Sequence, residues 1–342
     1  MVSVQARDKR QLNLRAGELV EVKSLGDILL TLDQEGKSAG LPFMPEMVAH
    51  CGKRYRVFRR ADKTCDSING TWMLRRMYDT VLLEDIRCDG NAHGGCQAGC
   101  MVFWKESWLK RVGEDSIIPI RKEGKLSTCA QDSLISIEAV DSCPDVIRRN
   151  AVKIFDSGAS KGEGAERYCC QATELHKCTD PLSPGDLRQY ARDVFTSNVG
   201  LVEFLKGIAV ALFNLLQKQR KACIYPHVQG TLKATPKYVS NLQIGEIVRV
   251  KSLDEITQTL DTRNRNRGLL FDLEMAGFCG GTFRVAKRIE KIVNESTGEM
   301  LMLPNDCIVL DGVSCRSQVH GDRLFCPRRI YSYWREAWLE RV

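Results

Sequence analysis

The chain has 342 residues, a net charge of +7, 43% apolar and 27% charged content, and 15 cysteines. That apolar share excludes long disorder, and the length exceeds what one ordinary core fills, so two or three globular domains are expected. The positive charge forms no long basic run, which leaves an acidic partner such as nucleic acid open without favouring it.

The amino terminus, MVSVQARDKRQLNLRAGE, has no apolar stretch of the secretory kind and predicts a cytoplasmic protein. In that compartment thiols stay reduced and are kept for metals, catalysis or packing, and an odd count argues against a complete disulfide framework. The first domain, residues 1–112, opens on LVEVKS from Leu19 to Ser24, whose alternation predicts a half-buried strand. A short helical turn over Leu25 to Leu32 should follow, capped by Ser24. KRYRVFRR and TVLLEDIRC predict a second and a third strand, and the segment ending at Trp108 a last strand or a short helix and strand. Several short strands with long polar connections predict a small, strongly bent barrel.

The middle, residues 113–240, predicts mainly helices. Ser142 with Pro144 starts one that continues through DVIRRNAVKIF, and Ser183 with Pro184 opens DLRQYARDVF. A third begins near Asn198 and runs through LVEFLKGIAVALFNLLQKQR, with apolar residues recurring at three and four. The longest apolar stretch, Val199 to Leu216, contains Glu203, Lys206 and Asn214 and so predicts no membrane span. GASKGEGAE, residues 158–166, predicts a flexible loop and no phosphate cradle, because no strand precedes it and no GK[ST] follows.

Residues 241–342 repeat the first domain. GELVEVKSLGDILLTLD at Gly17 returns as GEIVRVKSLDEITQTLD at Gly245, and WKESWLKRV at Trp104 returns as WREAWLERV at Trp334. TFRVAKRI and CIVLDGVSC predict the second and third strands again. Between the matched ends, Cys51, Cys88, His93 and Cys96 correspond to Cys279, Cys315, His320 and Cys326. Thiolate and imidazole together suit zinc, and four such ligands close a tetrahedral site. The first site is expected to use Cys51, Cys88, Cys96 and either His93 or Cys100, and the second Cys279, Cys315, Cys326 and His320. Cys100 has no counterpart, since Ile330 stands in its place. Its surplus thiol admits an iron-sulfur cluster on four thiolates as the alternative cofactor. Buried packing thiols, or a redox pair of Cys96 with Cys100, are the competing readings.

A hairpin that pairs Val57 with Cys88 sets Cys65 opposite Thr80, and one that pairs Val285 with Cys315 sets Cys307 opposite Val293. On that register Cys65 and Cys307 lie about eight residues from the cluster of their own repeat, roughly 26 Å along an unbent strand, and are expected to stay out of it. In the middle, YCCQATELHKC holds Cys169, Cys170, His176 and Cys178; packing explains it more simply than a nucleophile with a base or a third metal site. His227 is expected to have no special role. Glu46 and Glu274 recur before the upstream cysteines, where a capping or ion-pair role outweighs orientation of a metal ligand. Trp104, Trp108, Trp334 and Trp338 read better as core anchors than as stacking platforms for bases.

The G-E-x-V-x-V-K-S opening, the long first connection and the bent later strands resemble the SH3-like barrels of KOW-type and nitrile-hydratase-beta-type domains. The likeness covers each repeat and not the middle, implies a fold, and carries over no site residue. The two-repeat pattern as a whole is similar to bacterial proteins of the same layout, which implies a cytoplasmic bacterial protein and no activity. The expected fold is therefore α+β, two homologous small SH3-like barrels flanking a mainly helical domain. The expected function is a zinc-binding scaffold or accessory protein with a protein partner. A metalloenzyme or iron-sulfur redox protein using the first cluster is the alternative, and a nucleic-acid-binding protein the third.

Overall fold

The structure, a computed structural model, describes residues 12–68, 70–113, 144–155 and 165–342. The residues before Leu12, the expected helix start at Ser142 and residues 158–164 lie outside them, and the last two residues expected in the flexible loop, Ala165 and Glu166, belong instead to a strand. In the first repeat the strands are β1 (Leu19–Val22), the short pair β2 (Lys37–Ser38) and β3 (Leu41–Pro42), β4 (Arg54–Arg60), β5 (Lys63–Cys65), β6 (Leu74–Arg76), β7 (Thr80–Arg87), β8 (Met101–Lys105) and β9 (Leu109–Arg111). Five of them form an antiparallel sheet in the order β8-β7-β4-β1-β9, which curls as a half-barrel. Val20 and Val22 of β1 are fully buried while Leu19 and Glu21 are half-buried, as the alternation predicts. Ser24 caps the helix Leu25–Leu29 by accepting from the Asp27 amide.

The carboxy-terminal end of the repeat is a lock. After β8 a 3-10 turn at Glu106–Trp108 swings the chain so that β9 pairs with β1. Phe43 meets Trp108 edge-on at 5.2 Å, and Trp108 donates its indole N–H to Thr31 Oγ1 at 3.0 Å. Glu106, buried in the turn, accepts the amides of Asn13 and Leu14 at 3.0 and 2.9 Å and pairs with buried Arg60 at 2.5 Å. Phe271, Trp338, Thr259, Glu336 and Arg288 repeat this arrangement in the second copy. All four tryptophans of the two motifs are fully buried, so none offers a face to a base.

The hairpin register differs from the expected one. Val57 pairs with Leu83 and then, across a bulge, Arg59 pairs with Leu82 and Arg60 with Val81. The chain leaves β4 early and starts another hairpin, in which Cys65 faces Leu74 and not Thr80. A bulge sharpens the local twist and redirects the strand, which a straight ladder does not foresee.

The middle is not built of helices alone. Asp145–Ala151 is helical, but the predicted helix stops there and Val152–Phe155 becomes β10, paired with β11 (Ala165–Tyr168). β12 (Asp180–Pro181) adds to β6 of the first repeat. Helices at Arg188–Phe195 and Leu201–Gln219 match the reading from sequence. Two buried amides bind this segment to the first sheet. Asn198 exchanges hydrogen bonds with both backbone groups of Arg60 at 2.7 and 3.0 Å, and Gln171 does so with Phe103 at 2.7 and 2.9 Å.

The second repeat comprises β13 (Ile247–Val250), the short pair β14 (Arg265–Asn266) and β15 (Leu269–Leu270), β16 (Thr282–Arg288), β17 (Lys291–Val293), β18 (Met300–Met302), β19 (Ile308–Ser314), β20 (Tyr331–Trp334) and β21 (Leu339–Arg341). Its sheet order, β20-β19-β16-β13-β21, copies the first, and the same bulge lies between Val285 and Lys287. Val285 pairs with Leu310 and Val293 with Met300, which corrects the expected Val285–Cys315 and Val293–Cys307 pairs. No helix among the described residues is long and apolar enough to cross a membrane.

The repeats touch through corresponding parts. The Val293 amide of β17 donates to Cys96 Sγ at 3.3 Å, and the Cys65 amide of β5 donates to Cys326 Sγ at 3.2 Å. Beside these contacts the Arg87 guanidinium covers the Tyr331 ring at 4.0 Å.

Candidate thiol centre

The loop from Cys88 to Cys100 leaves β7 and returns as β8, closed at its base by the Cys88 amide on the Cys100 carbonyl at 2.8 Å. Inside it His93 and Gly95 both donate to the Gly90 carbonyl at 2.9 Å. Gly90 has φ +76° and a Cβ there would lie 1.9 Å from the Cys96 carbonyl oxygen, so no other residue fits.

Glu46 holds the loop from outside. Its Oε1 accepts the Ala92 amide at 3.2 Å and lies 2.7 Å from His93 Nδ1. The other ring nitrogen of His93 lies 3.2 Å from the Cys169 carbonyl oxygen. Both imidazole nitrogens thus face acceptors, which favours the doubly protonated ring. Burial pulls the His93 pKa down, the Glu46 carboxylate more than offsets this, and the net shift is upward. Burial likewise pushes Glu46 up, and His93 outweighs it, leaving the carboxyl below its ordinary value. His93 is therefore a buried ion-pair partner that clamps the loop to the turn at Cys169. It does not act as a base for a cysteine, because neither nitrogen is directed at a thiol.

Four cysteines line one cavity of about 30 Å³: Cys88, Cys96 and Cys100 from the loop and Cys170 from the middle segment. Met44, Met101, Phe103 and Val293 make its wall mainly apolar, and His93 and, from the second repeat, Arg328 also line it. Burial pushes the Cys100 thiol up to about 11 and the Cys170 thiol to about 12, and it raises Cys88 well above the ordinary thiol value, with further increments from neighbouring groups. Glu46, Cys88 and His93 place their ligand atoms within 4.8 Å of one another, whereas no three cysteine sulfurs among the described residues come that close.

The remaining predicted site residues fall elsewhere. Cys51 ends the 3-10 turn Pro45–His50 with its amide on the Val48 carbonyl, and Cys279 ends Leu273–Phe278 with its amide on Ala276. Neither lines the cavity, and their recurrence reflects a repeated turn. In the second repeat Glu274 accepts the amides of Gln318 and Val319 at 3.1 and 2.7 Å, the capping role expected of it. His320 turns instead to Asp272 at 3.2 Å. Cys315 lies 3.3 Å from Ser317 Oγ, and Cys326 meets Cys65 of the first repeat. His176 faces both oxygens of Asp66 at 2.9 Å, and Cys178 donates to the Leu175 carbonyl at 3.4 Å, so the two do not form a nucleophile and base.

Sequence reasoning missed Cys170 as a partner of the first loop. The string YCCQATELHKC carries the thiol, but nothing in its spacing indicates which distant loop it meets. Comparison with family models, with characterised proteins and with solved structures gives no match to this chain.

Proposed function

We propose that this chain is a zinc-binding tandem-barrel scaffold in which Cys88, Cys96, Cys100 and Cys170 hold one ion. The carrying observation is the convergence of four thiols from two separate segments on a single small apolar cavity. A bound divalent cation would deprotonate these buried thiols outright. The sulfurs must draw inward to coordinate, by rotation about χ1 and adjustment of the glycine-bearing loop. A volume of about 30 Å³ suits one ion better than an iron-sulfur cluster, since one water needs about 10–15 Å³ on the same scale. A closed set of four thiolates leaves no position open for a substrate, and that favours a structural ion over a catalytic one.

Other parts of the reading rest on the fold. A last strand that follows a 3-10 turn and returns to pair with the first is the closure an SH3-like barrel needs, and both sheets have it. The ion would fasten the middle segment to the first barrel through Cys170. A protein partner would sit on the outward face of the helix Leu201–Gln219, where Val202, Leu205, Leu212 and Leu216 are exposed. Nucleic-acid binding has lost its stacking platforms, because the paired tryptophans are core.

Elemental analysis of the purified chain tests the proposal. One equivalent of zinc and a colourless protein are expected, with the zinc lost in Cys170→Ser and retained in Cys51→Ser. Stoichiometric iron with visible absorption, or zinc that survives Cys170→Ser, refutes it.

A further inference from the structure

Cys65 and Cys326 lie outside the four-thiol set and come from different repeats. The sulfur of Cys326 accepts the Cys65 amide at 3.2 Å, which sets the two thiols side by side across the contact between the repeats. Both residues are buried, and Leu74, Leu182 and Ile330 close around them. The Arg328 guanidinium donates to the Cys65 carbonyl at 3.4 Å and holds this strand end in place. The corresponding place beside Cys96 is held by Val293, so a facing thiol exists only in the second centre.

We propose that Cys65 and Cys326 are a redox pair that closes a disulfide between the two repeats on reaction with hydrogen peroxide. The Cys65 amide aimed at the Cys326 sulfur stabilises its anion, which makes Cys326 the nucleophile and Cys65 the resolving thiol. Burial alone would push the Cys326 thiol up; the neighbouring Cys65 and Arg328 groups outweigh this and hold it below the ordinary thiol value. Cys65, the donor in the pair, is raised instead. The Cys326 thiolate attacks one peroxide oxygen and the O–O bond breaks. Cys326 becomes a sulfenic acid, and the departing hydroxide takes the Cys65 proton to leave as water. The Cys65 thiolate then displaces hydroxide from the Cys326 sulfur, the S–S bond forms, and a second water leaves after protonation. The two thiols lose two electrons, which reduce the peroxide to two waters.

The pair is enclosed, so the reaction proceeds through transient opening, and the closed product is shielded from thiol reductants. The bond would tie residues 261 positions apart. The full chain, reduced and then exposed to hydrogen peroxide, is quenched with N-ethylmaleimide and examined by non-reducing electrophoresis and peptide mass mapping. The expected result is a faster band reversed by dithiothreitol, a Cys65–Cys326 linked peptide, and loss of two alkylatable thiols. Cys65→Ser and Cys326→Ser each abolish the band, and Cys223→Ser, at an exposed cysteine outside both centres, keeps it. A wild-type peptide map with no Cys65–Cys326 link, or a band that persists in Cys326→Ser, overturns the proposal. The mapping uses the unaltered protein, so a variant that fails to fold does not decide the matter. Zinc content reads the first centre independently of this result.

Discussion

Gln171→Leu should be among the most damaging substitutions that leave every cysteine in place. The Gln171 amide accepts the Phe103 N–H at 2.7 Å and donates to the carbonyls of Phe103 and Pro42 at 2.9 and 3.1 Å. β8 is an edge strand of its sheet, and Gln171 occupies the position that a further strand would take at Phe103. Leucine fills nearly the same volume and removes all three bonds. Water cannot replace them, because Gln171 is only 3% exposed. An unsatisfied buried group costs roughly 1–3 kcal/mol. Allowing about 1 for each carbonyl, which keeps a second lone pair, and about 2 for the amide gives a loss of about 4 kcal/mol. Against a typical total of about 5–15 kcal/mol this is a large fraction. Urea unfolding of the metal-free protein would show it as a lower midpoint at unchanged slope, and the Phe103 amide should lose protection from hydrogen exchange. A loss below about 1 kcal/mol in Gln171→Leu would refute the account, since a single average hydrogen bond is worth that much.

Four further outcomes are expected. Gly90→Ala should dismantle the loop and abolish zinc binding while leaving the second repeat folded, which separate unfolding transitions would reveal. Glu106→Ala leaves Arg60 buried beside only Asp62 and should cost about 3–5 kcal/mol in chemical unfolding, a typical figure for breaking a buried pair. Glu336→Ala should cost less, because the Arg288 side chain is 32% exposed where that of Arg60 is 1%. For His93 the folded pKa lies above the ordinary 6.5, so its contribution is complete below that pH and is lost as pH rises through the folded value. For Glu46 it lies below the ordinary 4.5, so its contribution is present above that pH and is lost as pH falls through the folded value. The melting-temperature difference between wild type and His93→Gln should therefore be largest between those limits and shrink on the alkaline side.

The repeat, its strands and their caps were legible because they are local. Val20 and Val22 alternate with Glu21 and Lys23, Ser24 precedes its helix, and the second copy repeats both signals. The register was not legible, because the bulges after Val57 and Val285 depend on how the sheet curls. Nor was the fate of Val152 to Phe155, where a helix gives way to a strand that pairs with Ala165–Tyr168. For the site, Cys88, Cys96 and Cys100 could be grouped from one stretch of chain. Cys51 recurs with them in sequence but serves a turn. Cys170 and Cys65 reach their partners only through tertiary packing, which spacing does not encode. Glu106 stood in plain view inside WKESWLKRV, yet its role depends on the distant amides of Asn13 and Leu14 and on Arg60.

Because Cys96 receives the amide of Val293 while Cys326 receives that of Cys65, each repeat presents the surface that it also accepts. This is the isologous geometry of a two-fold homodimer, drawn into one chain. In a true homodimer the two pockets would be bound to identity: both would have a cysteine at the place of Cys100 and another at the place of Cys65, or neither would. Covalent connection lifts that constraint. One pocket has Cys100 and faces Val293, while the other has Ile330 and faces Cys65. The tether is thus what permits two copies of one pocket to take up different chemistry, and restoring symmetry with Val293→Cys and Ile330→Cys would give each pocket both extra thiols.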